Sequence, residues 1–156
     1  MRLLQAVFLL LVLPLVQAQE ENGIDRKMKP IALAIRSMVI LEIKVYQNPD
    51  NVFLRTELRQ FVVADGRKEG DISRRLEKAK TNSSKVKTGC RAAAVEIQDI
   101  SFTGIDYRTA TVKTLESKEY EWTDGTKVSE QSSPHTYHVK EIGGNLWKVV
   151  EEVPSF

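Results

Sequence analysis

The sequence predicts an α+β domain in which N-terminal helices pack on one face of a curved antiparallel sheet. Apolar residues recur at helical spacing up to about residue 80, whereas short β-prone segments separated by turn residues follow from Arg91 onwards. No internal repeat divides the chain, and its 156 residues suit one domain better than two. We therefore expect a single domain with the helices first and the strands after them.

The first residues have the layout of a cleavable secretory signal. Arg2 precedes an apolar run from Ala6 to Val16. The following Val16-Gln17-Ala18 places small residues at the −3 and −1 positions that a signal peptidase recognises. Because the run is about half the length of a bilayer-spanning helix, cleavage after Ala18 is favoured over retention as a membrane anchor. The predicted parts are a signal peptide (1–18), a flexible segment (19–29) and the domain (30–156). The processed protein would be secreted, periplasmic or extracellular, without a membrane span.

The first predicted helix covers Ile31 to Tyr46 and is introduced by Pro30. One apolar face collects its residues at helical spacing: Ile31, Ala34, Ile35, Met38, Leu41 and Val45. The second half, from Val39, also alternates as a strand would and is rich in β-branched residues, so a strand remains an alternative there.

Two shorter helices are predicted next. Asp50 follows the turn residues Asn48 and Pro49 and is the predicted cap of a helix that carries Leu54, Leu58 and Phe61 on one face. Asp71 is the predicted cap of a third helix that carries Ile72, Leu76 and Ala79.

A meander of antiparallel strands should form the second half. The candidate strands are Ala92–Phe102, Thr109–Trp122, Lys127–Gln131, Thr136–Ile142 and Leu146–Val153. Asp124-Gly125 predicts a two-residue hairpin loop and Gly143-Gly144-Asn145 a three-residue one. In the last strand, alternation puts Trp147 and Val149 on one face and Lys148 and Glu152 on the other, the pattern of a sheet covered on one side.

Charge and cysteine content restrict the class of protein. The 23 Lys and Arg residues and the 21 Asp and Glu residues are interspersed, which argues against nucleic-acid binding. Cys90 is the single cysteine and excludes an intramolecular disulfide. A buried, inert thiol is favoured there over one that reacts or links a homodimer. Asn82-Ser83-Ser84 matches a glycosylation sequon, which matters only in a eukaryotic source.

The polar candidates for catalysis form no recognisable motif. His135 and His138 are the only histidines, and on a strand they would point to opposite faces, so a shared metal site is not expected. Solvent-facing histidines are the simpler interpretation. Asp99, Asp106 and Tyr107 would suit proton transfer if they lay inside a pocket. Asp106 and Tyr107 follow Gly104, however, and a bend in the strand is at least as good an interpretation of that segment.

Four aromatic residues are the candidates for a pocket or a core: Tyr120, Trp122, Tyr137 and Trp147. Their spacing on strands is typical of core positions and also suits the lining of a ligand cavity. No residue pattern calls for a cofactor or a metal.

A stretch of the second half carries a resemblance to a known superfamily. It consists of Thr109 to Glu116, Tyr120, the turn Asp124-Gly125, Tyr137 to Val139 and Asn145 to Val149. In order and spacing it is similar to the closing strands of the nuclear-transport-factor-2-like (cystatin-like cone) superfamily. The nearest versions are two non-enzymatic ones, the extracytoplasmic domain of bacterial teicoplanin-resistance-associated membrane proteins and a plastid-division and cyanobacterial domain. The resemblance implies helices closed over a strongly curved sheet, and it carries over no functional residue.

The function expected from these observations is that of an exported, non-catalytic binding or interaction domain. Its partner would be a protein or a small apolar ligand, bound at the open end or concave face of the cone. The alternatives are a small-molecule isomerase or cyclase that uses a buried carboxylate, and a structural or oligomer-forming subunit such as a homodimer.

Overall fold

The computed structural model of the protein describes residues 26–81, 87–122 and 125–154, without the side chains of 78–81, 87–93, 120–122 and 128. Three helices, α1 (26–47), α2 (Val52–Leu58) and α3 (Arg67–Thr81), precede four strands in this part of the chain. The strands β1 (Lys87–Phe102), β2 (Thr109–Trp122), β3 (Lys127–Gly143) and β4 (Leu146–Val153) follow one another in an antiparallel sheet. The predicted α+β fold, with helices packed on a curved sheet, is confirmed.

Helix α1 is longer than predicted and is helical throughout its second half. Met38, Glu42 and Val45 are buried at a spacing of three to four residues, as are Val39 and Ile43, so packing settles the ambiguity in favour of a helix. Pro30 lies inside the helix rather than before it. Proline has no N–H to donate to the carbonyl of residue 26, so the helix lacks one backbone hydrogen bond near its first described turn. No helix among the described residues is long and apolar enough to cross a bilayer.

The two predicted caps are wrong by one and by several residues. Asn51, not Asp50, caps α2, and its Oδ1 accepts a hydrogen bond of 3.2 Å from the Leu54 N–H. Helix α3 begins at Arg67 instead of at Asp71. Its start is fixed by Glu69 in the first turn, whose carboxylate reaches back 2.8 Å to the Asp65 N–H.

Strands β2 and β4 have the predicted bounds, whereas β1 and β3 are longer than predicted. The two segments expected on either side of Pro134 form the single strand β3, which passes an irregularity at Ser132 (φ 51°). The turn before β4 is a two-residue loop, because Gly143 still pairs with Leu146. Gly144 and Asn145 have φ of 57° and 63°, the left-handed values that a tight hairpin of the primed type needs.

A short chain segment covers the β4 edge of the sheet. The Val63 N–H donates to the Val149 carbonyl (2.9 Å), and the Val149 N–H donates to the Phe61 carbonyl (2.8 Å). Gly66 lets the chain pass this edge closely, since a Cβ there would lie 3.1 Å from the Val150 carbonyl oxygen. This segment therefore ties the helical half to the sheet.

The hydrophobic core lies between the helices and the inner face of the sheet. Trp147 is 1% exposed and packs edge-on against Phe102 at 6.1 Å between ring centroids. The sheet also contributes Ala110, Val112, Tyr137, Val139 and Val149, and the helices contribute Ile31, Ile35, Met38, Leu58, Ile72 and Leu76, among others.

Candidate functional site

The inner face of the sheet carries a buried carboxylate, Glu116, at a position where the alternation of β2 predicts an apolar residue. Its side chain is fully buried. Its Oε1 accepts hydrogen bonds from the Tyr137 hydroxyl (2.5 Å) and from the Thr114 hydroxyl (3.2 Å). Its Oε2 forms an ion pair of 2.7 Å with Lys118 Nζ. The carboxylate is thus held by two hydroxyl donors and one cation, as a buried charge requires.

His135 stands between Glu116 and a second carboxylate, Glu152. The Nδ1 atom lies 2.7 Å from Glu152 Oε1, and Nε2 lies 3.7 Å from Glu116 Oε2. The imidazole is stacked on the Tyr137 ring, with the ring planes 8° apart. Because an ionised carboxylate only accepts hydrogen bonds, Nδ1 carries a proton. Its Nε2 is buried without a hydrogen-bond partner.

Lys68 joins the sheet to helix α1. Its Nζ is 2.7 Å from Glu152 Oε2 and 2.7 Å from Glu42 Oε2, and its side chain is 2% exposed. Burial disfavours the ammonium, but the charges of Glu42 and Glu152 outweigh that effect, so the pKa of Lys68 is raised. The ammonium also lies 5.7 Å from the centroid of the Tyr137 ring, within the range of a cation–π contact. Lys68 is therefore a cation at neutral pH.

Glu42 closes the chain of contacts on the helical side. Its Oε1 accepts a hydrogen bond of 2.8 Å from the Tyr46 hydroxyl and lies 3.4 Å from Arg75 Nη1. Burial and then the charge of Glu42 raise the pKa of Tyr46, and burial and the charge of Glu116 raise that of Tyr137. Both phenols therefore stay protonated as donors at neutral pH.

We call these contacts the buried ion-pair network, formed by Glu42, Lys68, Glu116, His135 and Glu152. Burial by itself would raise the pKa of the Glu152 carboxyl, but the hydrogen bond with His135 and the charge of Lys68 outweigh it and hold that pKa well below its usual range. With Lys118 and Arg75 at its ends, the network sets three cations against three carboxylates. Mutual neutralisation is what allows Lys68, Glu42 and Glu116 to keep their charges in the interior.

The position of Glu152 corrects the prediction for the last strand. Alternation predicts Glu152 on the face opposite Trp147, but it lies on the same inner face. The register explains why: Val139 pairs with Val149 and His138 with Glu151, so Val150 is an extra residue on β4. Such a bulge reverses the side-chain parity beyond it. Glu151 consequently faces outwards, where it contacts His138 Nδ1 at 2.8 Å.

The other candidates from the sequence are distributed as follows. Tyr137 and Trp147 lie in the core, each 1% exposed, whereas the side chains of Tyr120 and Trp122 lie outside the described residues. The two histidines occupy opposite faces as predicted, but His135 is not solvent-facing, since its side chain is only 21% exposed. The signal peptide, Asn82 and the side chain of Cys90 also fall outside the described residues.

The carboxylates named from the sequence do not line a pocket. Asp99 is exposed and accepts a hydrogen bond from the Ser101 hydroxyl (2.7 Å). Asp106 and Tyr107 are exposed in the loop between β1 and β2, where the Asp106 carboxylate accepts from the Arg108 N–H. Asp106 and Tyr107 thus lie at the bend that the sequence offered as the alternative to a proton-transfer site.

Sequence reasoning missed Glu42, Lys68 and Glu116. One signal was available for Glu116, because it extends the inner-face series Ala110, Val112 and Thr114 and so is an ionisable residue on an apolar face. Lys68 gave no comparable signal, since it lies among charged residues and is buried only by packing against α1, β3 and β4.

Two depressions lie in the helical half, away from the network. A cleft of about 60 Å³ is lined by residues that include Val45, Leu58 and Leu76, and a shallow groove of about 350 Å³ between α1 and α2 by Ile40, Leu41 and Phe61 among others. Neither is lined by a residue of the network. Within the described ranges, no three His, Cys, Asp or Glu side chains converge as metal ligands would.

Comparison with known proteins identifies no relative of this chain. No family model matches the chain, and searches of curated proteins and of solved structures returned no match. Fold and site thus define a class only, an α+β domain with an ion-pair network between its helices and its sheet. The resemblance to the nuclear-transport-factor-2-like superfamily stays a prediction.

Replacing Glu152 by glutamine should flatten the loss of stability in acid. A carboxyl whose pKa is lower in the folded than in the unfolded state contributes stability above its unfolded pKa, and this contribution disappears as the pH falls. We expect the urea midpoint of the wild type to drop between about pH 5 and about pH 3 more steeply than that of Glu152→Gln. Asp99→Asn is the matched control, since it removes an exposed carboxylate. Equal slopes in wild type and Glu152→Gln would contradict the assigned role of Glu152.

Proposed function

We propose that this protein is an exported, non-catalytic binding domain. The observation that carries the proposal is that side chains fill the concave face of the sheet. Tyr137, Val139 and Trp147 are each 1% exposed there, and the carboxylates of Glu116 and Glu152 are engaged by neighbouring donors and cations. A filled interior of this kind serves stability, which leaves recognition to the outer surface.

The sequence supports export, and the exposed side chains support recognition. The signal-like residues 1–18 argue for passage across a membrane. Several large apolar side chains are exposed, with Ile105 completely accessible and Ile142 and Leu146 each 48% exposed. Exposed apolar groups that gather in one region are typical of a contact surface.

A second candidate function is a small-molecule isomerase or cyclase. One observation favours it, namely that Glu116 is buried beside the Tyr137 hydroxyl and the unpaired Nε2 of His135. A carboxylate, a phenol and an imidazole can supply a base and a hydrogen-bond donor for proton transfer.

N-terminal sequencing of the exported chain should give Gln19 as the first residue, and a start at Met1 would contradict signal cleavage.

A turnover assay on the exported chain separates the two candidate functions. We then expect no turnover of hydrophobic cyclic ketones, by the wild type or by Glu116→Gln, because core side chains such as Tyr137, Val139 and Trp147 fill the concave face that a substrate would need. Turnover by the wild type that falls by about two orders of magnitude or more in Glu116→Gln would favour the enzyme and overturn the non-catalytic proposal. Asp99→Asn serves as the control with an exposed carboxylate.

A further inference from the structure

One end of the molecule brings three separate chain segments together. They are the loop between β1 and β2 (103–108), the hairpin between β3 and β4 (142–146) and the first described turn of α1. Lys27 Nζ donates to the Tyr107 carbonyl (3.0 Å) and pairs with Glu141 (3.2 Å). The Glu141 N–H donates to the Arg108 carbonyl (2.8 Å). We call this surface the loop end.

The loop end exposes a group of large apolar side chains. Ile105 is fully exposed, and Tyr107, Ile142 and Leu146 are 40–48% exposed. They come from two loops that the Glu141–Arg108 hydrogen bond joins, so they lie at the same end of the molecule. Single exposed apolar residues are ordinary, but several at one end of a domain are typical of a surface that is buried when a partner binds.

The turn that carries Ile105 is held in place by local contacts. The Tyr107 N–H donates to the Gly104 carbonyl (3.1 Å), and the Tyr107 ring packs edge-on against Phe102 at 5.7 Å. The Asp106 carboxylate accepts from the Arg108 N–H, and Tyr107 adopts a left-handed φ of 52°. Ile105 is therefore presented to solvent by an ordered turn, which limits the entropy lost on binding.

Basic residues of the same three chain segments accompany these apolar groups. Arg26, Lys29, Arg108 and Lys140 are exposed, and Lys27 is paired with Glu141. Asp106 is the exposed carboxylate among the described residues of the two loops. Glu20, Glu21 and Asp25 precede Arg26 in sequence and lie outside the described residues. Apolar side chains accompanied by cations match the interface of a bilayer that contains anionic lipids.

The course of the chain adds an independent argument. The apolar run ends at Val16, ten positions before Arg26, and Arg26 lies at the loop end next to Lys27. Ten extended residues reach at most about 35 Å, so the loop end stays within that distance of the membrane surface while the leader is still attached.

We propose that the loop end docks onto the surface of a bilayer containing anionic phospholipids, with Ile105, Tyr107, Ile142 and Leu146 inserted at the interface. This inference rests on the proposed function, which leaves recognition to the outer surface of the domain. It adds that the partner is a lipid bilayer. It leaves the interior of the domain unchanged on binding.

Vesicle co-sedimentation tests the proposal on the chain that begins at Gln19, which keeps every contact described above because these lie within residues 26–154. We expect binding to vesicles made of equal parts of phosphatidylcholine and phosphatidylglycerol, and weaker binding to phosphatidylcholine alone. The double substitution Ile105→Asp and Leu146→Asp should lower the partition coefficient between membrane and water at least about tenfold. The reason is that two apolar side chains are no longer transferred from water into the bilayer interface. Far-UV circular dichroism checks that the variant is folded.

Phe53→Asp is the matched control. Phe53 is 84% exposed but follows the far end of α1, about 30 Å from the loop end along the helix. Its replacement should leave the partition coefficient unchanged. Wild-type protein that stays in the supernatant with both vesicles, or an equal loss in Phe53→Asp and in the double variant, would overturn the membrane proposal. Neither result would affect the non-catalytic role, which the turnover assay tests separately.

Discussion

Lys68→Met is expected to destabilise the fold by about 3–5 kcal/mol. The substitution keeps the length of the side chain but leaves the carboxylates of Glu42 and Glu152 buried without their shared cation. Removing one partner from a buried ion pair is costly because the remaining charge has lost both water and its counterion. The free energy of unfolding, measured by urea titration at neutral pH, provides the test.

Arg67→Met is the control for Lys68→Met. Arg67 is the preceding residue and pairs with Glu151 at 3.0 Å, but its side chain is 83% exposed. An exposed ion pair contributes about 0–1 kcal/mol, so this variant should stay close to wild type. A cost for Lys68→Met no larger than that for Arg67→Met would show that the network does not stabilise the fold.

A double-mutant cycle would show whether Lys68 and Glu152 act on each other. Glu152→Gln should cost less in the Lys68→Met background than in the wild type, since the carboxylate is already without its cation. Additive costs would mean that the two residues are energetically independent despite the 2.7 Å contact.

Trp147→Ala is expected to cost about 3–5 kcal/mol and to lower the melting temperature by about 10 °C or more. Trp147 fills the core beside Phe102, with Lys27 Nζ 5.9 Å from its ring centroid. The substitution leaves a large cavity that the surrounding sheet cannot close. Thermal unfolding followed by circular dichroism measures the change.

Leu146→Ala is the neighbouring control, because Leu146 is 48% exposed and should cost less than about 1 kcal/mol. Trp147→Phe should fall between the two, since it retains an aromatic ring and removes Nε1, which is buried without a hydrogen-bond partner. A Trp147→Ala protein whose melting temperature stays within about two degrees of wild type would contradict the core role.

Together, the network and the core explain how a chain with one cysteine holds its helices against its sheet. Trp147 belongs to the apolar part of this contact, and Lys68 bridges α1 and β4 through two carboxylates. If both substitutions are costly, the concave face serves stability, and recognition is left to the outer surface.

The sequence predicted most of the fold but little of the candidate site. The burial of Tyr137 and Trp147 follows from alternation along β3 and β4, which is a local property of strands. The buried ion-pair network could not be found in the same way. Its members come from α1, α3, β2, β3 and β4, and nothing in their local patterns distinguishes a buried Lys68 from the exposed charges beside it.

The sequence by itself determined the order of helices and strands, the antiparallel meander and the presence of a turn at Gly143 to Asn145, because hydrophobic periodicity and backbone preference act over a few residues. Only the tertiary structure decided that Val39 to Tyr46 is helical, that β3 continues through Pro134, and that Glu152 faces the interior. Each of these depends on a partner distant in sequence: the core for the helix, the pairing with β2 for β3, and the bulge against β3 for Glu152. A one-residue bulge reverses which face a side chain occupies, and the register that creates it is set by the neighbouring strand.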